Sequence, residues 1–200
     1  LGGRHVRGIE ALGLPTLRIT NGPVGIGQND CVDAALLTPT MPRIVPYTHP
    51  SSAKATALPS AMAIAATFDP AAADRFGQVI AAEAKALALH VFEAPGVNLA
   101  RIPVLGRNFE YFGEDPFLTG TQAVAQIRRI QGEGVIAMAK HFAANEQETN
   151  RFNLSQTVAE GVLRELYLLP FEMAVKDGKV ASLMCSYNDL NGLQACENPW

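Results

Sequence analysis

The stretch VIAMAKHF at residues 135–142 runs apolar for five positions and then turns polar at Lys140-His141. It is bounded upstream by Gly132 and Gly134 and downstream by the polar run Asn145 to Ser155. A short apolar run between turn signals reads as a buried strand rather than a helix. The polar pair at its C-terminal end is the informative part. In parallel α/β folds, ligands meet the protein beyond the C-terminal ends of the strands.

Similar units lie on both sides. Upstream, LPTLRIT (14–20) alternates apolar and polar residues and enters a turn at Asn21-Gly22-Pro23. VFEAPGV (91–97) reads as a second strand, and VASLMCSY (180–187) as a further buried one. Between them lie helical patterns. Asp69-Pro70 is an N-cap with proline at the first helical position, before an Ala-rich helix over 71–89. Pro116 to Gln131 is a helix ended by Gly132 and Gly134, and Val158 to Asp177 is an amphipathic helix. Residues 28–60 hold prolines at 39, 42, 46, 50 and 59 and read as a long loop. The order strand, loop, helix repeats, which predicts an α/β fold around a parallel sheet. Two architectures remain open on pattern alone. One is part of a barrel, since eight such units need about 250 residues. The other is a complete small doubly wound sheet.

Composition narrows the partners. The chain has 200 residues, 16 Lys plus Arg, 19 Asp plus Glu, a net charge of −3 and 48% hydrophobic residues. That apolar share supports a buried core and excludes a disordered chain. The slight negative balance argues against nucleic acid, because phosphate binding needs clustered cations. No apolar run approaches the roughly 18 residues of a membrane span. The chain begins at Leu1 without a signal segment and stops at Asn198-Pro199-Trp200, and we expect a processed chain or an excerpt of a longer one.

Polar residues gather at four consecutive strand ends: Asn21, then Asn98 and Arg101, then Lys140-His141, then Tyr187-Asn188. With Arg107, Asn108 and Arg151 they make a mixture of charged donors, amides and a phenol that suits a neutral polyhydroxyl ligand. NGPVGIG (21–27) has neither a G-K-[ST] ending nor the G-x-G-x-x-G spacing of a nucleotide loop. The four His at 5, 49, 90 and 141 are scattered, and no C-x-x-C pair exists, so no metal or cofactor is expected. Glu110, Glu114 and Asp115 tempt assignment as a catalytic carboxyl pair. The plainer reading is that Asp115-Pro116 starts a helix, Glu114 sits near its positive end, and Glu110 holds Arg107.

Taken together, TNGPVGIG (20–27), ALPSAMAIAATFDP (57–70), APGVNLARIPVLGRNFEYFGEDPFLTG (94–120), KHFAANEQETNR (140–151), LRELYLLPFEMAV (163–175) and MCSYNDLNG (184–192) resemble the N-terminal domain of glycoside hydrolase family 3, in the family's order. The resemblance implies an α/β fold of the (β/α)8 TIM-barrel type, incomplete in residues 1–200, followed by an α/β sandwich domain. It implies an exo-acting, retaining β-glycosidase that removes terminal β-D-glucosyl residues from oligosaccharides or aryl glycosides through a covalent glycosyl-enzyme. It places the nucleophilic Asp downstream of Trp200 and the acid/base in the later domain, leaving no catalytic residue in this chain. The residues implied to bind substrate are Asn21, Arg107, Lys140, His141, Arg151 and Tyr187. The family also carries unusual cis peptides around K-H-F.

Two positions depart from the pattern. Asn21 stands where the family usually has Asp, and Gly27 where it usually has Arg. A β-xylosidase, another glycone preference, and a catalytically silent sugar-binding homologue are the alternatives. KHF is followed by AANEQETN without a second His, unlike the N-acetylglucosaminidase branch. The expected partner is a small carbohydrate, with room for a homo-oligomer. The resemblance further implies a Cys185–Cys196 disulfide, set against the reading of two reduced thiols, and Cys31 has no partner assigned in the chain. We expect a secreted or periplasmic protein. Asn153-Leu154-Ser155 is a glycosylation sequon, meaningful only in a eukaryotic secretory host.

Overall fold

The computed structural model describes residues 5–6, 8–27 and 54–199. Strands β1 (His5–Val6) and β2 (Leu17–Asn21) pair antiparallel. Helix α1 (Ala61–Ala65) forms where Ser60 caps the Ala63 N–H, and α2 (Pro70–Ala86) follows. Strand β3 (Val91–Glu93), helix α3 (Pro116–Gly132) and strand β4 (Ile136–Phe142) come next. Beyond them lie β5 (Ser155–Gln156), α4 (Glu160–Val162), α5 (Leu169–Lys176), β6 (Ser182–Cys185), β7 (Asp189–Leu190) and β8 (Leu193–Gln194).

The main sheet has the order β1-β2-β3-β4-β6, and β2, β3, β4 and β6 are parallel. Each parallel strand is added at the same edge as its predecessor. A doubly wound sheet reverses its order at a switch point, and this one does not. Helix α2 packs on α3, and α3 on α5, so the helices succeed one another as the strands do. That decides between the two architectures in favour of part of a (β/α) barrel. A smaller sheet, β5-β7-β8, stands beyond the end of β4.

The helix starts follow from local chemistry. Asp69 Oδ1 accepts from Ala71 N–H at 2.8 Å, and Asp115 Oδ1 from Leu118 N–H at 2.6 Å, each followed by proline at the first helical position. Two glycines set the helix spacing. A Cβ on Gly77 would stand 2.9 Å from the Gln126 carbonyl oxygen of α3, and one on Gly120 would run into the Met173 side chain of α5. The core between helices and sheet holds Ile80, Phe92, Ala123, Ile127, Ile130, Ala137, Ala139 and Phe171.

Several expectations need correction. The helix expected over 158–177 is broken: α4 passes into a π-helical turn, Leu163–Tyr167, where Leu168 N–H reaches the Leu163 carbonyl at 2.8 Å, before α5 begins. Pro170 is the physical reason, since it has no N–H and its ring crowds the carbonyl four residues back. The second strand stops at Glu93 rather than 97, because Pro95 cannot donate to the ladder. The Ala94 and Pro95 carbonyls still accept from Met138 and Lys140 N–H, at 3.1 and 3.0 Å. Strand β6, expected to be buried, is partly exposed among the described residues, where it pairs with β4 alone and Leu183 is 42% exposed.

The Lys140–His141 and Phe142–Ala143 peptides are cis, as is Ala94–Pro95. Cys185 and Cys196 form a disulfide with a Cα–Cα distance of 5.5 Å. Residues 54–60 carry no helix or strand, whereas Cys31 and prolines 39, 42, 46 and 50 lie outside the described residues. Among the described residues, no helix is long and apolar enough to cross a membrane.

Candidate active site

The polar end of β4 is the centre of the site. Lys140 is 2% exposed, and its ammonium donates to Asn21 Oδ1 at 2.8 Å from the end of β2. Glu110 Oε2 lies 3.5 Å from the same ammonium. Glu110 Oε1 lies 2.6 Å from Arg107 Nη2, so one buried carboxylate compensates two buried cations. Glu110 therefore holds Arg107, as the sequence suggested, and also serves Lys140. Burial pushes the Lys140 pKa down, while the charges of Glu110 and Glu93 pull it back and that of Arg107 lowers it further.

His141 is held on four sides. Its backbone N–H donates to Asn98 Oδ1, and its carbonyl accepts from Asn98 Nδ2, both at 2.9 Å. Its Nε2 lies 2.9 Å from Arg107 Nη2, and its Nδ1 3.2 Å from the Tyr111 hydroxyl. Burial, then the charges of Arg107, Lys140 and Arg151, push its pKa down to about 2. The imidazole is therefore neutral across the physiological range. It cannot serve as an acid/base group near pH 7.

A second chain of contacts leads from Arg107 towards solvent. Arg107 Nη1 meets Glu148 Oε1 at 2.6 Å, and Arg151 Nη1 meets Glu148 Oε2 at 2.9 Å. The Arg151 guanidinium lies 4.9 Å from both the Phe152 and Tyr187 ring centroids, and those two rings are 4.7 Å apart. Tyr187 is 52% exposed and Phe152 63% exposed, so this end of the cluster is not covered by the described residues.

All six residues expected to bind substrate, Asn21, Arg107, Lys140, His141, Arg151 and Tyr187, thus belong to one connected cluster. Other residues of the strand-end set do different work. Arg101 stacks over Tyr167 at 5.5 Å, Asn108 Nδ2 braces the Ile102 carbonyl at 2.8 Å, and Asn188 Nδ2 donates to the Ala143 carbonyl at 3.3 Å.

Sequence reasoning missed two residues at the centre. Tyr111 is fully buried, accepts from Arg107 Nε at 3.1 Å and donates to the Asn145 carbonyl at 2.5 Å. Glu148 links the two arginines. The Glu148/Arg151 spacing of three was the available signal for Glu148. Tyr111 gave none, since an aromatic in a loop reads as packing. Among the described residues, no group of three or more His, Cys, Asp or Glu could hold a metal.

A cluster of fixed cations and amides at the C-terminal ends of parallel strands on a partial barrel has the donors and acceptors that suit a polar, hydroxyl-rich ligand. The profile described as the glycosyl hydrolase family 3 N terminal domain matches residues 49–200. The chain belongs to that family. A β-glucosidase of Rhizobium radiobacter is 42% identical over 192 residues, covering 96% of this chain and 21% of the relative. An exo-alpha-(1->6)-L-arabinopyranosidase of Bifidobacterium longum is 35% identical over 204 residues, covering 98% of this chain and 25% of the relative. The structure of β-glucosidase 3B from Thermotoga neapolitana in complex with alpha-D-glucose superposes with a TM-score of 0.86 at 34% identity, covering 100% of this chain and 26% of that one. The chain thus spans about a quarter or less of the length of these relatives.

Proposed function

We propose that this chain supplies the glycone-binding part of the active site of an exo-acting, retaining β-glycosidase. The whole protein hydrolyses terminal β-D-glucosyl residues through a covalent glycosyl-enzyme. The observation that carries this reading is the connected cluster of Asn21, Lys140, Glu110, Arg107 and His141, buried at the ends of parallel strands. Such a cluster is organised before the sugar arrives, so little reorganisation is needed when hydroxyls dock. Hydrogen bonds to sugar hydroxyls that tighten at the oxocarbenium-like transition state supply several kcal/mol in such enzymes. Lys140, Arg107 and Arg151 are the donors; Asn21 and Glu148 offer acceptors. Tyr187 stands beside the position of the nucleophile that the family resemblance puts downstream. The Cys185–Cys196 bond supports a secreted or periplasmic setting, where disulfides persist.

A second reading concerns the glycone. Asn21 replaces the usual Asp and is bonded to Lys140, so the sugar meets a neutral amide where relatives offer a charged acceptor. The arabinopyranosidase among the relatives supports a shifted glycone preference.

The test is turnover by the full-length protein of nitrophenyl β-D-glucoside, β-D-xyloside, β-D-galactoside and α-L-arabinopyranoside. Preferred turnover of the glucoside supports the leading reading. Preferred turnover of a pentoside supports the second. A folded protein that turns over none of them overturns both and leaves a silent sugar-binding homologue.

A further inference from the structure

The Tyr111 hydroxyl touches Arg107, His141 and the loop after β4 together. A phenol has one O–H to give and two lone pairs. The Asn145 carbonyl can only accept, so the hydroxyl donates there, at 2.5 Å. The Arg107 Nε–H can only donate, so it takes one lone pair, at 3.1 Å. The remaining lone pair faces His141 Nδ1 at 3.2 Å, so Nδ1 must carry the hydrogen. The opposite edge of the ring gives the same answer. Arg107 Nη2 can only donate, and it lies 2.9 Å from Nε2, which must therefore be bare. Two separate contacts demand one tautomer, a neutral imidazole protonated at Nδ1.

We propose that Tyr111 is a positioning residue for the glycone site: its hydroxyl sets the tautomer of His141 and the orientation of the Arg107 guanidinium. The inference rests on the glycosidase reading above. Tyr111 is 0% exposed and does not touch the sugar. It acts by fixing the Nδ1–H tautomer of the imidazole and the plane of the guanidinium, so both are set before a sugar binds. Its hydrogen-bonding capacity is fully used, with one donor and two acceptor positions each satisfied. The same hydroxyl ties both groups to the loop that carries Glu148 and Arg151, so one atom keeps the buried and exposed ends of the cluster in register.

The experiment uses the full-length protein, with nitrophenyl β-D-glucoside as substrate and D-glucose as competitive inhibitor. Tyr111→Phe removes the hydroxyl and keeps the ring. We expect KM and the glucose Ki to rise together by about tenfold, with a smaller change in kcat, equivalent to one lost hydrogen bond to charged neighbours. Ile127→Val is the control, because Ile127 lies in the core of α3, outside the cluster. It lowers thermal stability while leaving the Ki unchanged. An unchanged Ki in Tyr111→Phe, or an equal rise in Ile127→Val, would overturn the proposal.

A second measurement does not depend on the variant folding. The ring-nitrogen chemical shifts of His141 in ¹⁵N-histidine-labelled wild type, assigned by their loss in His141→Asn, report the tautomer. The Nδ1–H form is expected, and the Nε2–H form would refute the assignment. If the wild type neither hydrolyses glucosides nor binds glucose, the glycosidase reading fails with the positioning role. A normal wild type with an indifferent Tyr111→Phe removes this inference alone.

Discussion

Lys140 Nζ donates to Asn21 Oδ1 at 2.8 Å, joining the end of β4 to the end of β2 across 119 positions of chain. Strand β3 lies between them in the sheet: its last residue, Glu93, is in register with Asn21, and Gly96 beyond it bridges to Lys140. The amide and the ammonium therefore meet across the C-terminal end of β3. Converting Asn21 to Asp makes this a charge-assisted bond and gives the sugar an anionic acceptor. We expect Asn21→Asp to change the ratio of kcat/KM between glucoside and pentoside substrates severalfold, about 1 kcal/mol of discrimination. Ratios that stay constant across the panel would end the idea that Asn21 sets glycone preference.

Glu110 faces two cations that are themselves nearly buried. Removing its charge leaves Lys140 and Arg107 with less compensation in a site that water does not reach. Losing one partner of a buried ion pair costs about 3–5 kcal/mol. Glu110→Gln is expected to lose stability on that scale in denaturant unfolding followed by fluorescence. A loss below about 1 kcal/mol, the range of surface pairs, would mean that Glu110 is not the compensating charge.

Glu146 is 1% exposed, and neither of its carboxylate oxygens makes a well-formed hydrogen bond among the described residues. Burial raises its pKa from the ordinary 4.5 to about 7, against the opposing pull of Arg101, which stacks over Tyr167 nearby. A raised folded-state pKa means that the native state holds a proton the unfolded chain has already released. Its contribution is complete below 4.5 and is lost as pH rises to about 7. The loss is on the order of 3 kcal/mol. The thermal midpoint of the wild type should fall across that window relative to Glu146→Gln. Parallel midpoint-versus-pH curves for the two proteins would contradict this.

His141 sits among Arg107, Lys140 and Arg151, and its pKa of about 2 keeps it neutral wherever the protein is assayed. The kcat/KM profile between pH 5 and 8 should therefore contain no limb from this imidazole. His141→Asn should lower the profile without changing its shape. Disappearance of a limb in that variant would show that His141 titrates during catalysis.

Local chemistry is legible in the chain itself. Asp69-Pro70 and Asp115-Pro116 start helices because a capping carboxylate and a fixed proline φ act within a few residues of each other. The polar ends of strands stand out for the same reason, as a change of character along a few positions, and they led to Asn21, Lys140, His141 and Tyr187, whereas the full set with Arg107 and Arg151 came from the family resemblance. Where the chain misled, the deciding contact was distant or subtle. The π-helical turn at Leu163–Tyr167 depended on how the chain accommodates Pro170, and the amphipathic pattern runs straight through it.

Tertiary structure alone decided three things. The β2-β3-β4-β6 order, which excludes a doubly wound sheet, is a matter of which strands pair, and strand periodicity is the same in either topology. The sharing of Glu110 between Arg107 and Lys140 depends on β4 lying beside the Arg107 loop. Tyr111 became a polar hub because burial strips its hydroxyl of water and leaves three protein partners in its place. Residue types and their short-range spacing determine what each group is able to do. Strand register and burial determine which groups meet, because those depend on contacts between segments that composition and periodicity do not encode.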